Sequence, residues 1–353
     1  MELSRLKNIR ALPGPVLITG HTGFKGTWLT ILLERLGINV IGVSLPADMN
    51  SLYQRMNRFG KIQEGFIDVR DVNALSVFLE NSQPSAIIHL AAQPLVLESY
   101  IQPRDTFETN VMGTVNLLDS AFSVPSIKSI IVATTDKVYR NENLGKAFLE
   151  SDPLFGKDPY SASKVATEAV VSAWQQISKL DQGPRVISVR AGNVIGGGDW
   201  ANNRLLPDII RGFSSKETFS LRNPNSTRPW QHVLDPLYGY ILTLEESLGL
   251  TEVESVNFGP SGESLTVSAV AKIAADHWPH QVRYEFNNFD IEESRESLIL
   301  QLDSRKARQI LNWTPKWSQE ESIVKTVSWW NLVLNQGIDP LDACKQDLEE
   351  FLN

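Results

Sequence analysis

Short β-branched runs alternate with stretches of helical period through the first half of the chain. Val16-Leu-Ile-Thr19 reads as a buried strand, and a helix follows from about Trp28 to Leu36. Gly37 closes that helix, because the residue after a helix end commonly takes a left-handed conformation that glycine accepts. Val40–Val43, Gly65–Asp68, Ala86–Leu90, Ile130–Ala133 and Val186–Arg190 repeat the strand pattern. Helical periods lie between them: from an Asp71 N-cap to about Glu80, from Pro103 to Ala121, and from Tyr160 to about Lys179. This alternation predicts the α/β class, a doubly wound parallel sheet of Rossmann-like form. In such sheets ligands lie beyond the carboxyl ends of the strands. Gly20, Asp68, Ala91-Ala92-Gln93 and Thr134 to Lys137 all fall at those ends.

After Arg190 the pattern loosens and grows richer in Gly, Pro and Trp. Gly196-Gly-Gly198 and the stretch from Asn223-Pro224 to Pro229 read as loops over a site. Helical period returns near Val267 to Trp278 and from Ser318 to Gly337. The expected organisation is a nucleotide domain from residues 1–192 plus about 232–260. A smaller, mostly helical substrate domain takes about 193–231 plus 261–353.

Composition narrows the chemistry. A hydrophobic fraction of 42% and a charged fraction of 21% are those of an ordinary globular protein. The net charge of −8 opposes a nucleic-acid partner, which needs a basic face. Any anionic substrate must then be gripped by local arginines against the overall field. The single cysteine, Cys344, rules out an internal disulfide and fits a reducing compartment. With no signal peptide and no run of membrane-spanning length, a cytoplasmic location is expected. The five histidines, His21, His89, His232, His277 and His280, lack metal-ligand spacing, so no metal is expected.

Two stretches carry chemistry. Thr19-Gly20-His-Thr-Gly23-Phe24-Lys25-Gly26 stands between a strand and a helix. There, glycines let backbone N–H groups approach a pyrophosphate at the positive helix end. A tight strand-to-helix turn without a ligand is the plain alternative. Ser44, at the end of the second strand, offers neither a carboxylate for ribose nor a guanidinium for a 2′-phosphate, leaving NAD and NADP both open there. Asp68 is placed to hold the adenine amine or simply to cap its strand. Further on, Thr134-Thr135-Asp136-Lys137 precedes Tyr160-Ser-Ala-Ser-Lys164. A tyrosine and a lysine one helical turn apart can work as a proton-transfer pair, the ammonium favouring the phenolate.

With these residues in hand, the chain resembles the extended short-chain dehydrogenase/reductase superfamily and, within it, the CDP-glucose 4,6-dehydratases. The glycine loop and the Tyr160/Lys164 pair mark the superfamily. Asp136-Lys137 and Arg228-Pro-Trp-Gln-His232 mark the subgroup. Ala91–Val96, Thr109–Thr114, Arg190–Trp200 and Leu302–Arg308 extend the likeness over nearly the full length. Two positions depart: Glu98 stands where a basic residue is expected, and Val138 where Cys often stands.

The resemblance implies an NAD-dependent hydro-lyase acting on a nucleotide sugar in deoxysugar biosynthesis, and a homodimer formed through the helices at about 103–121 and 160–179. It implies cofactor contacts from Gly20, Thr22, Gly23, Phe24, Lys25, Gly26, Asp68, Val69, Leu90, Ala91, Ala92, Gln93, Thr134, Tyr160 and Lys164. The catalytic set would be Tyr160, Lys164, Thr135, Asp136 and Lys137. Tyr160 takes the O4 proton as C4 is oxidised, Thr135 bonds the O4 region, and Lys164 holds the nicotinamide ribose. Asp136 protonates the leaving C6 hydroxyl, and Lys137 removes the C5 proton, for which its amine must be neutral. Arg204 and Arg228 are the expected diphosphate ligands, with Asn193 and His232 as further substrate contacts, His232 being packed or behind the contacting groups rather than catalytic, and Arg211 and Arg222 as lesser candidates whose plain alternative is a solvated surface role. Other readings are a dTDP- or GDP-hexose dehydratase, a sugar-nucleotide epimerase that has no need of Asp136-Lys137, and a silent nucleotide-sensing scaffold. The last would be expected to lack Tyr160 or Lys164.

Overall fold

The computed structural model describes residues 5–142, 145–215, 218–249, 251–287 and 300–353, with the side chains of Arg222 and Asn287 outside that description. The expectation that placed Arg222 near substrate therefore lies outside the described residues.

Seven strands form the central sheet: β1 (Val16–Thr19), β2 (Val40–Ser44), β3 (Gln63–Phe66), β4 (Ala86–His89), β5 (Ser129–Ala133), β6 (Arg185–Ala191) and β7 (Ser255–Phe258). Their order is β7-β6-β5-β4-β1-β2-β3, and every neighbouring pair runs parallel. β1, β2 and β4 are buried along their whole length. Both faces are covered by helices, so these strands read as continuous apolar runs rather than alternating ones. The principal helices are α1 (Phe24–Arg35), α2 (Val72–Ser82), α3 (Gly113–Phe122), α4 (Pro159–Asp181), α5 (Leu205–Ser215), α6 (Leu234–Ser247), α7 (Val267–Asp276), α8 (Gln319–Leu334) and α9 (Pro340–Leu352).

The pleat sends alternate side chains to opposite faces. Val16 and Ile18 join the core under α1 and α6, where Trp28, Leu237, Ile241, Trp313 and Trp330 pack. Leu17 enters the other core, with Leu79, Leu117 and Val171 of α2, α3 and α4. Chain order reverses between β1 and β4, so a crevice opens at their carboxyl ends. Among the described residues no helix is long and apolar enough to cross a membrane.

Local signals explain the element ends. Asp71 caps α2 by accepting from Ala74 N, and Asp158 closes a capping box with Ser161 at the start of α4. The helix expected from Pro103 comes in three successive pieces: Pro103–Phe107, a π-helical turn Glu108–Met112, and α3. β3 lies two residues earlier than its pattern suggested, because Gln63 to Phe66 pair with Ile41 to Ser44. Asp68 consequently sits in the turn beyond the strand. The seventh strand was absent from the sequence-based reading; its Ser255-Val-Asn-Phe258 sequence is short and half polar.

Candidate active site

The glycine loop is a cradle shaped by missing side chains. Gly20 has φ +74°, and a Cβ there would lie 2.8 Å from the Ala91 nitrogen. A Cβ on Gly26 would meet the Gly20 carbonyl oxygen at 2.1 Å. Only glycine lets β1, the loop and α1 approach this closely. Gly23 is the N-cap of α1 and brings no side chain to its first N–H groups, which leaves the positive helix end available to a pyrophosphate. These residues fit a dinucleotide. Across the crevice the Thr19 hydroxyl accepts from Leu90 N at 3.1 Å and Ala91 N at 3.2 Å, which fixes the strand end that forms the opposite wall.

Several expected cofactor side chains are already engaged by protein. Thr22 Oγ1 lies 2.7 Å from Ser44 Oγ and donates to the Leu45 carbonyl. Both Asp68 oxygens accept from the Arg70 guanidinium, and Oδ1 also accepts from Arg70 N at 2.9 Å. Those bonds hold the Asp68 carboxyl below its usual range. Asp68 thus already has a protein partner in the turn beyond β3, and its side chain is about one-third exposed. Val69 is buried against Gly113. The Gln93 side chain bonds Leu95 O and Thr106 Oγ1, while the Thr134 hydroxyl donates to Glu168 Oε1 at 2.5 Å. Gln93, Ala92 and Thr134 can therefore line the crevice mainly with backbone.

The end of β5 carries a different kind of group. Asp136 opens a single 3₁₀ turn, Asp136–Val138, and its carboxyl is 1% exposed. Oδ1 accepts from the Thr135 hydroxyl at 3.1 Å and lies 3.9 Å from Lys137 Nζ. Oδ2 is buried and has no hydrogen-bond partner. It faces Gly192, where a Cβ would come within 3.1 Å of it. Burial raises the Asp136 pKa, against the pull of Lys137, Thr135, Arg228 and Lys25. A buried carboxyl biased toward its protonated form and carrying a free oxygen is suited to donate a proton.

Tyr160 and Lys164 project from the first turns of α4 into the same space. Burial raises the phenol pKa, while Lys137, a hydrogen bond from Thr135 and Arg204 lower it. Lys164 donates to the Ala133 carbonyl at 3.2 Å, and burial brings its pKa down to about 8. Of the basic groups around the phenol, Lys137 and Arg204 act on it most. Lys25, expected only as part of the phosphate loop, reaches this cluster too. Its ammonium sits 5.8 Å from the Tyr240 ring centroid, and desolvation, with Arg204 and Lys164 nearby, brings its pKa down to about 8.

The substrate candidates divide. Asn193 Oδ1 is buried without a partner, as a ligand-facing carboxamide would be. Arg228 is buried beside Asp136, and Arg204 is half-buried with Asp199 Oδ2 at 3.0 Å. Arg211 holds the Trp200 and Ala201 carbonyls and lies over the Trp200 ring, a structural clamp. His232 is a correction. It is fully buried between Trp28 and Trp317, accepts from Leu234 N, and lies 3.9 Å from Asp347, so it belongs to the core and not to the substrate pocket. Glu98 bonds Gln102 at the surface.

Three residues with evident work in this region were missed. Asn110, in the π-helical turn, bonds Gln93 N, Gln93 O and Ser163 and so ties the crevice wall to α4. Glu168 and Arg190 form a buried bidentate pair at 2.8 Å behind Lys164 and Thr134. Glu168 lies one helical turn beyond Lys164 on the same face, a spacing visible in the sequence. Asn110 stood inside a quoted motif without a role, and nothing in the apolar pattern marks a π turn.

The chain matches the family pattern described as GDP-mannose 4,6 dehydratase over residues 17–326. It is 38% identical over 347 residues to the CDP-glucose 4,6-dehydratase of Salmonella typhimurium, covering 96% of each chain. Among solved structures it is similar to a dTDP-glucose 4,6-dehydratase from Streptomyces venezuelae with NAD and TYD bound (TM-score 0.78, 24% identity, 93% of this chain and 99% of that one). It is equally similar in fold to a UDP-glucose 4-epimerase from Thermotoga maritima with UDP-glucose (TM-score 0.78, 21% identity, 91% and 99%). The two solved structures establish the fold. With a family match over residues 17–326 and a 38% identical relative along nearly its whole length, this chain belongs to the nucleotide-sugar 4,6-dehydratase family.

Proposed function

We propose that the protein catalyses NAD-dependent 4,6-dehydration of CDP-D-glucose to CDP-4-keto-6-deoxy-D-glucose. The observation that carries this reading is Asp136: a buried, partly unpartnered carboxyl biased toward protonation, beside Tyr160. An oxidoreductase or epimerase needs only the Tyr160 and Lys164 end of that arrangement. A proton donor at Asp136 is what loss of a hydroxyl requires.

NAD would supply the hydride acceptor for C4 and the hydride donor for C6. Gly20, Gly23 and Gly26, with the first N–H groups of α1, would hold its pyrophosphate, and Lys164 its nicotinamide ribose. Tyr160 takes the O4 proton, Asp136 protonates the departing C6 hydroxyl, and Lys137 takes the C5 proton and later returns it. Arg228 and Arg204 hold the diphosphate by charge-assisted hydrogen bonds, and Asn193 bonds a phosphate or sugar oxygen. The choice of CDP over dTDP or GDP is supported by the 38% identical relative.

Residues 1–192 with about 232–260 form the cofactor half in this reading, and 193–231 with 261–353 the substrate half; α6 and β7, packed on β6, support that division. Exposed Phe107, Met112, Ile177 and Leu180 on the helices around Pro103–Phe122 and α4 support a homodimer through those faces. The buried, lone Cys344 is consistent with a cytoplasmic location.

Incubation with NAD and CDP-, dTDP-, UDP- or GDP-glucose tests the reading. The alkali-induced ultraviolet absorbance of a 4-keto-6-deoxy sugar is expected with CDP-glucose. Its absence with all four, or 4-epimer formation instead, refutes it.

A further inference from the structure

His89 ends β4, is buried, and takes no part in the proposed chemistry. Its ring lies between two buried threonines. Thr19 Oγ1, at the end of β1, is 2.6 Å from Nδ1, and Thr114 Oγ1, on α3, is 3.1 Å from Nε2.

The number of protons available fixes every direction in this chain. A hydroxyl has one proton and two lone pairs. Thr19 Oγ1 already receives Ala91 N–H at 3.2 Å and Leu90 N–H at 3.1 Å, the latter shared with the Thr19 carbonyl. Its own proton is therefore what it offers His89. Nδ1 must then be bare, and a neutral ring carries its proton on Nε2, which donates to Thr114 Oγ1. The Thr114 proton continues to the Asn110 carbonyl at 2.8 Å. A cationic ring would set a third N–H against the Thr19 oxygen and leave the hydroxyl proton without an acceptor. Burial acts in the same sense, lowering the His89 pKa to about 3.

The two ends of the chain hold the two ends of one wall. Thr19 fixes the N–H groups of Leu90 and Ala91. The Asn110 carboxamide accepts from Gln93 N at 2.8 Å and donates to the Gln93 carbonyl at 3.1 Å. Leu90 to Gln93 thus stand across from the glycine loop as a segment pinned at both ends, with His89 as the tie between the pins. We propose that His89, as the neutral Nε2–H tautomer, is a positioning residue for NAD: by taking the Thr19 proton it leaves that oxygen to Leu90 and Ala91 and sets the backbone wall that faces the cofactor. Without an acceptor at Nδ1 the Thr19 proton has to turn to another partner, and the two N–H groups lose their anchor. The proposal rests on the reading of Leu90 to Gln93 as cofactor contacts, and it needs nothing from the sugar nucleotide.

Nuclear magnetic resonance of isotope-labelled histidine nitrogens near neutral pH tests the tautomer in the parent protein. The ring whose signals vanish in His89→Asn should carry its proton on Nε2 alone. An Nδ1–H ring or a doubly protonated one overturns the proposal. Calorimetric titration of cofactor-free protein with NAD tests the positioning. His89→Leu removes the acceptor and should weaken NAD by at least roughly fivefold. His89→Asn sets a carboxamide oxygen where Nδ1 stood and should stay within about twofold of the parent, a difference smaller than one lost hydrogen bond. His89→Gln, whose amide reaches the Nε2 place instead, should resemble His89→Leu. Thermal unfolding without NAD separates affinity from packing, since all three variants lose a packed ring. NAD affinity that follows the loss of stability rather than the presence of an acceptor overturns the proposal. A parent that binds no NAD overturns the cofactor reading and the proposal together, whereas a parent that binds NAD no better than His89→Leu overturns the proposal alone.

Discussion

The two ends of one crevice are built on opposite terms. At the β2–β3 end the acidic and hydroxyl side chains already have protein partners, and the partnerless buried atoms there are nitrogens, His21 Nδ1 and Arg58 Nε. Asp68 is held by Arg70, Thr22 by Ser44, and Glu64 by His21, Tyr53 and the Gly60 N–H. At the β5–β6 end Asp136 Oδ2 and Asn193 Oδ1 are buried without partners. Two lysines there, Lys25 and Lys164, have pKa values lowered to about 8 by burial. Unsatisfied buried groups cost free energy, and a fold retains them where a ligand or a reaction completes them. The outer end is therefore scaffold around a backbone cradle, and the inner end is chemistry.

The sharpest way to break that contrast is Asp136→Asn. The amide keeps the shape but delivers no proton, so dehydration should slow by roughly 10²–10⁴-fold while oxidation at C4 survives. Enzyme-bound NADH should accumulate in a single turnover, visible by its absorbance. If product forms at the parental rate, the β5 end is structural and the epimerase reading moves ahead.

Behind the reactive groups stands the Glu168–Arg190 pair, with Arg190 also donating to the Tyr139 hydroxyl at 2.8 Å. Removing one member of a buried pair strands the other. Arg190→Met should cost about 3–5 kcal/mol in denaturant unfolding. The double variant with Glu168→Gln should lose less than the two single losses added together. Strict additivity would mean that the pair does not act as a unit.

A smaller effect tests whether all buried orphan groups mark function. Asp347 and Asp235 also have partnerless oxygens, yet they lie in the core around α6, α8 and α9, away from the crevice. Burial lifts both pKa values to about 7. Because the folded pKa exceeds the unfolded one, their stabilising contribution is fully present below about pH 4 and is lost as pH rises through about 7. His232 acts oppositely: burial lowers its pKa to about 3, so it subtracts stability as pH falls below the unfolded value near 6.5. Asp347→Asn isolates one contribution. It should flatten the loss of stability between about pH 4 and 7, by at most about 1.4 kcal/mol per unit, with CDP-glucose turnover unchanged. An unchanged slope would show that Asp347 titrates alike in both states.

Much of this was legible in the sequence because it rests on local rules. The strand runs, the Asp71 and Asp158 caps, the glycine loop, and the Tyr160/Lys164 spacing each need only neighbours in sequence. What escaped depends on distant partners. His232 sits in the same short block as Arg228 and both are buried, but His232 packs between Trp28 and Trp317 while Arg228 lies beside Asp136. Lys25 was expected only within the nucleotide loop, and it is α6 that sets Tyr240 beside its ammonium. Asp68 and Arg70 are two residues apart, but only the turn after β3 reveals that they hold each other.

That last pair gives the smallest and most direct test of the contrast. If Asp68 were the adenine acceptor, its loss would leave an unpaired amine in the bound complex and weaken NAD by a charged hydrogen bond, roughly 1.5–3 kcal/mol or at least tenfold in Kd. In the structure both its oxygens are taken by Arg70, whose guanidinium also reaches Asp105. The pair is about one-third exposed, where such bridges contribute roughly 0–1 kcal/mol. Asp68→Asn should therefore change the NAD Kd by less than about fivefold, measured by calorimetric titration of the cofactor-free protein. Arg70→Met should free the carboxylate and leave binding equal or tighter. A tenfold loss on Asp68→Asn would instead place a working contact at the outer end, and the division between scaffold and chemistry would have to be redrawn through β3.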